Sequence, residues 1–122
     1  MRRFALTFFA MSACAVFAAS PAFAVFPDGD YRCVNTDGAP AGMLTIKGAD
    51  YTFQAVADDE WTPKPEDPAN GSGTMIEAGV DVIMVESGPI KDTLNANLSY
   101  KPDEGAILVN GHAGPMMTCK PN

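Results

Sequence analysis

The sequence predicts an all-β fold: a small antiparallel meander of about eight short strands forming a closed or nearly closed barrel. Three observations lead there. Short β-prone runs recur between clusters of Gly, Pro, Asn and Asp. No window carries apolar residues at helical spacing for two turns. Cys33 and Cys119 lie near opposite ends of the chain that follows an N-terminal leader, so a disulfide between first and last strands would suit a sheet that wraps onto itself. A β-sandwich is the alternative.

The leader comes first. Arg2 and Arg3 precede an apolar stretch from Phe4 to Ala19, and no acid appears before Asp28. Ser20-Pro21 breaks the stretch, and Ala22-Phe23-Ala24 offers small residues at the two positions a signal peptidase reads. Residues 1–24 are therefore expected to be a signal peptide cleaved after Ala24, with Ala22 as the nearby alternative. The stretch is shorter than the roughly 20 residues of a comfortable membrane helix. Met11-Ser12-Ala13-Cys14 loosely imitates a lipoprotein box, but Ala15 to Ala19 continues the apolar core past Cys14, so soluble export is preferred over lipidation. The expected address is bacterial, periplasmic or extracellular.

Residues 25–122 are then expected to form one domain, since 98 residues are too few for two. Loss of Arg2 and Arg3 lowers Lys plus Arg from 8 to 6 against 15 acids, a net charge near −9. Such a surface repels phosphate backbones and excludes nucleic acid as a partner. It disfavours anionic lipid and would suit a cationic envelope protein, although solubility alone also explains it. With Cys14 removed, Cys33 and Cys119 remain, without Cys-x-x-Cys spacing or nearby histidines, and in an oxidising compartment a disulfide is expected. In the chain-entropy model such a crosslink stabilises by about 4 to 5 kcal/mol.

Strands are expected at Asp30–Asn35, Met43–Lys47 and Tyr51–Val56, the last with Tyr51, Phe53 and Ala55 on one face. Residues 57–73 hold Asp58, Asp59, Glu60, Glu66, Asp67, three prolines and the only tryptophan, and read as an exposed acidic, Pro-rich loop. Further strands are expected at Thr74–Glu77 and Asp81–Glu86, turning near Ala78-Gly79, and at Leu94–Tyr100. Ala106–Val109 and Met116–Lys120 complete the set, with Asn110-Gly111 as the hairpin turn. Tyr31, Leu44, Ile46, Tyr51, Phe53, Val82, Leu94 and Leu98 are expected to fill a narrow lumen, which makes a roomy ligand cavity doubtful.

Tyr31-Arg32-Cys33, Gly71-Ser72-Gly73-Thr74, Ser87-Gly88-Pro89 and a cysteine in the last strand resemble a loose group of small secreted bacterial β-domains, largely uncharacterised. The shared features are turn residues and cysteines, so the resemblance implies a fold rather than an activity. A weaker similarity is to the periplasmic inhibitors of c-type lysozyme, small eight-stranded barrels with a Tyr-x-Cys start and a late cysteine. Their Ser-Gly inhibitory loop would correspond to Ser72-Gly73, which marks Ser72 as a residue to test. The Trp-x-Lys-Gly stretch of those inhibitors is missing, and Met75 departs from their aromatic surroundings.

Trp61 with Asp59 and Glu60 is the leading candidate binding element, because aromatic anchors dominate interfaces. The competing and preferred reading has Trp61 folding back over a barrel end while the acids are solvated. The loop carboxylates have neither the fixed separation of a glycosidase pair nor the spaced pattern of a calcium loop. His112 is the only histidine. With Met116 and Met117 nearby it offers ligands that suit copper(I), yet adjacent strand methionines face opposite sides and only one could join it. A core methionine and an exposed loop histidine is the preferred reading. No catalytic residue, metal or cofactor is expected.

Three functions follow. The first is an exported cell-envelope binding module, inhibitory or otherwise, using loops at one barrel end. The second is a carrier of a small apolar ligand. The third, disfavoured because the sole histidine has no visible partner, is a periplasmic enzyme.

Overall fold

In the computed structural model, residues 26–79 and 82–122 are described, and they form eight antiparallel strands and one helical turn. The expected signal segment and Cys14 lie outside the described residues, as does Asp81. The strands are β1 (Gly29–Asn35), β2 (Pro40–Lys47), β3 (Asp50–Ala55), β4 (Gly71–Gly79), β5 (Val82–Val85), β6 (Asn97–Lys101), β7 (Ala106–Gly111) and β8 (Gly114–Pro121); the turn, α1 (Pro89–Asp92), precedes β6. Each strand pairs with its neighbours in sequence, and β8 returns to β1, so the meander is a closed barrel rather than a sandwich. Closure removes both raw edges, which in an open sheet of this size would invite pairing with other chains.

Alternation along the strands sends one set of side chains inward. Tyr31 and Cys33, Leu44 and Ile46, Tyr51 and Phe53, Ile83 and Val85, and Ile107 and Val109 are all buried. Leu98, Met75 and Met117 complete the filling of the barrel. The expectation for Leu94 needs correction: it lies outside any strand and is only half-buried, packed against the core from the barrel end. The side chain of Val82 lies outside the described set.

The seam between β1 and β8 carries the disulfide. Cys33 and Cys119 are directly opposite in the ladder, both are fully buried, and their sulfurs are bonded. The crosslink therefore ties the two strands that lie farthest apart along the chain, its cysteines at a sequence separation of 86.

A second tie crosses the barrel wall. The Tyr51 hydroxyl donates to the Ser87 carbonyl at 2.9 Å and accepts from the Ile90 amide at 3.0 Å. To get there the Tyr51 ring passes beneath Gly73, where a Cβ would collide with that ring and with the Ser87 carbonyl. Gly88 sits in the left-handed region at φ 94° beside the same hydroxyl. Pro89 then opens α1, its fixed φ suiting the first helical position. Ile90 is fully buried, so α1 acts as a plug over one side of the barrel end. Burial pushes the Tyr51 hydroxyl above its ordinary value of 10.0, partly offset by the Ile90 amide. The associated stability is complete below that value and is lost as pH rises past it.

Several boundaries depart from expectation. The loop expected over 57–73 ends earlier, because Gly71–Gly73 already pair with Tyr51–Phe53 as the start of β4. The strand expected from Leu94 begins at Asn97: the amides of Thr93 and Leu94 bond back to the Pro89 carbonyl, and that of Ala96 to the Ile90 carbonyl. Asn110 and Gly111 are not the hairpin turn but the end of β7; the Asn110 side chain donates to the Ser99 hydroxyl at 2.8 Å, and the reversal falls on His112 and Ala113. β2 also starts earlier, at Pro40 rather than Met43.

Two stability predictions follow from these ties. Replacing both Cys33 and Cys119 by alanine should lower unfolding free energy by about 4 to 5 kcal/mol, read as a lower urea midpoint that reductant no longer changes. Tyr51→Phe strands a buried amide and a carbonyl and should cost about 2 to 3 kcal/mol in the same assay. A loss below about 0.5 kcal/mol would mean that the Tyr51 tie contributes nothing.

Candidate functional site

All the long connections sit at one end of the barrel. There the β1–β2 turn, the 56–70 loop, the 86–96 segment with α1, and the β7–β8 turn surround a common mouth. The opposite end carries the short β2–β3 turn, the β6–β7 turn and the described chain termini.

The 56–70 loop is built, not slack. Val56 bridges Pro63, the Ala57 amide bonds to the Thr62 carbonyl at 2.8 Å, and the Lys64 amide to the Ala55 carbonyl at 2.9 Å. The chain thus leaves β3 as a short hairpin-like excursion and comes back alongside it. At its tip the Asp58 carboxylate accepts from the Glu60 and Thr62 amides at 3.0 and 3.3 Å. At its base Asn70 accepts from the Ala55 amide at 2.7 Å and donates to the Lys64 carbonyl at 2.6 Å. Asp67 accepts from the Ala69 amide at 2.8 Å and pairs with Lys64 at 3.1 Å.

Beneath this loop a groove of about 460 Å³ opens at the barrel mouth. Phe53, Ala55, Ala41, Ala69, Leu94 and Met117 give it an apolar floor and walls, while Asn35, Lys64 and Asp67 add polar groups. Ala39, Ala41, Ala55, Ala57 and Ala69 are all among its lining residues. Sequence reading missed this groove, since its walls come from β2, β3, β8, the loop and the segment before β6. The available signal was the run of small residues at Ala39, Ala41, Ala55 and Ala69.

The sequence-derived site residues are not all gathered. Asp59, Glu60 and Trp61 share the tip of the excursion, and both acids are exposed. Trp61 holds a left-handed backbone at φ 59° and its ring lies 4.8 Å from the Arg32 guanidinium, on the outer face of β1. It is half-buried beside the Arg32 side chain. Ser72 lies elsewhere, in β4 rather than in a loop, with its hydroxyl 3.1 Å from that of Thr52. His112 is exposed on the β7–β8 turn.

A closed, filled eight-stranded meander barrel with an elaborated mouth is the class of protein defined by this architecture. Comparison of the chain with protein-family models, curated proteins and solved structures finds no match.

The loop carboxylates carry a pH dependence. Hydrogen bonds from the Thr62 side chain and amide hold Asp58 below its ordinary value of 3.8, and the Ala69 amide followed by Lys64 does the same for Asp67. Depressed values mean that the stabilising contribution of these two carboxylates is complete above the ordinary carboxylate range and is lost as pH falls through 3.8 and below. The emission of Trp61, the only tryptophan, should therefore shift to the red in acid before the barrel unfolds. Asp58→Asn should remove part of that transition; an emission unchanged down to global unfolding would contradict it. Asn70→Ala should cost about 1 to 3 kcal/mol and raise amide exchange at Ala55.

Proposed function

We propose that the chain is an exported binding module of the cell envelope, taking a cationic protein partner on the barrel mouth. The observation that carries this reading is the placement of charge. The mouth connections hold Asp37, Asp58, Asp59, Glu60, Glu66, Asp67, Glu86 and Asp92 against only Lys64 and Lys91. Acids concentrated on a rigid rim steer a basic partner and set its orientation, while the apolar groove inside the rim supplies area to be buried. Trp61, Asp59 and Glu60 form the tip that would meet the partner first. The buried disulfide and the leader-like segment support export to an oxidising compartment. Among the described residues no helix is long and apolar enough to cross a membrane.

Titration with a c-type lysozyme, the partner class implied by the weaker resemblance, tests this reading. A complex should form whose affinity falls with salt, and the Asp59→Asn/Glu60→Gln double variant should weaken it by about tenfold. Ser72→Ala separates the roles: a loss there would place the contact on the β3–β4 wall instead. Failure to bind lysozyme or other basic envelope proteins, or an affinity indifferent to salt, would sink the proposal. The groove favours a second reading, a carrier of a small apolar ligand, because its volume lies within the range of about 300 to 1,000 Å³ typical of such sites. Native mass spectrometry of freshly secreted protein showing only the bare polypeptide mass would argue against that carrier.

A further inference from the structure

The β7–β8 hairpin carries a chemistry of its own beside the mouth groove, whose lining Met116 also joins. Gly111 and Gly114 are its last paired residues, so His112 and Ala113 form the reversal. The register then slips: Val109 faces Met117, whereas Asn110 faces Pro115. One residue of β8, Met116, is left without an opposite number. Such a bulge re-aims a side chain out of strict alternation.

The consequence separates the two neighbouring methionines. Met117 turns inward and is buried in the barrel core. Met116 stays half-buried at the surface and lines a cavity of about 330 Å³ together with His112, Leu94, Asn95 and Pro115. Its sulfur lies over Gly111, the residue before His112; a Cβ at that position would stand 2.7 Å from Met116 Sδ. A missing side chain thus makes room for a thioether at the residue preceding the sole histidine of the protein.

We propose that His112 and Met116 form a soft-metal site for copper(I) at the lip of this hairpin. Thioether sulfur and imidazole nitrogen are both neutral, and together they suit a monovalent soft cation better than a hard or divalent one. No carboxylate lines the cavity, and among the described residues no group of three or more His, Cys, Asp or Glu is placed to hold a metal. Calcium and magnesium, which need several oxygen ligands, have no counterpart there. Zinc in a structural site wants four ligands, two more than this pair supplies. The surrounding charge helps, since a chain with net charge −7 attracts a cation that its ligands do not neutralise. Leu94 and Pro115 give the site an apolar side, which protects a thioether contact from competition by water.

The disulfide-intact protein, titrated anaerobically with copper(I) against a chromophoric chelator, should withhold one equivalent. His112→Ala and Met116→Leu should each weaken that binding at least tenfold, with circular dichroism unchanged. Met84→Leu, which removes a thioether that is 48% exposed on the β5 wall, should leave it intact. With silver(I) as a redox-silent probe, the His112 ring protons and the Met116 methyl should shift together in the NMR spectrum. Absence of competition with the chelator overturns the proposal. So does retention of affinity in either the His112 or the Met116 variant, or a loss on Met84→Leu equal to theirs.

Discussion

Closure of the β1–β8 seam is the constraint on which the rest of the structure depends. Every other strand pair joins neighbours in sequence. The β1–β8 pair instead joins segments separated by most of the chain, so its loop-closure entropy is the largest in the fold. The Cys33–Cys119 bond sits within that seam, in register with the ladder and buried in the interior. Without closure, β1 and β8 would each present an unpaired edge, and the side chains between them would lose their opposite wall.

The mouth is a consequence of how the remaining wall is tied. The Tyr51 hydroxyl reaches from β3 under Gly73 to the 87–90 segment, which draws α1 over one side of the barrel end. Asn70 performs the corresponding task on the other side by pinning the 56–70 excursion to Ala55 and Lys64. Between these two fixed pieces the chain leaves a groove floored by alanines. Side chains fill the barrel itself, so the open space lies at the rim and not in the lumen.

Charge and shape meet at that rim. The excursion tip is held by hydrogen bonds to Asp58, and Trp61 is braced against Arg32, so Asp59 and Glu60 project from an ordered support. Ordered groups lose less entropy on docking, so a rigid acidic rim would be better suited to a partner than a slack acidic loop. The β7–β8 hairpin opens onto the same end, where its bulge separates a core methionine from a surface one.

Period-two alternation in short β-prone runs, turn residues between them and two well-separated cysteines were enough to determine an all-β meander with joined termini. Those signals are local, or depend only on counting. Tyr31, Leu44, Phe53 and Leu98 are buried as their alternation required. Where β4 and β6 begin was not legible, because pairing partners and the Pro89 helical turn, not propensity, decide whether Gly71 joins a strand and Leu94 leaves one. The same holds for the turn expected at Asn110-Gly111, which moved to His112-Ala113 once Asn110 bonded across to Ser99. The composition of the acidic loop could be read directly and the Asp58 turn at its tip is local, but the Asn70 bond to the Ala55 amide joins backbone brought close only by folding. Which small residues share a groove, and which of two adjacent methionines turns outward, depends on barrel curvature and on a one-residue slip in register. Tertiary structure alone settles these, because the groove walls come from separate strands and loops and the slip depends on how β7 and β8 pair.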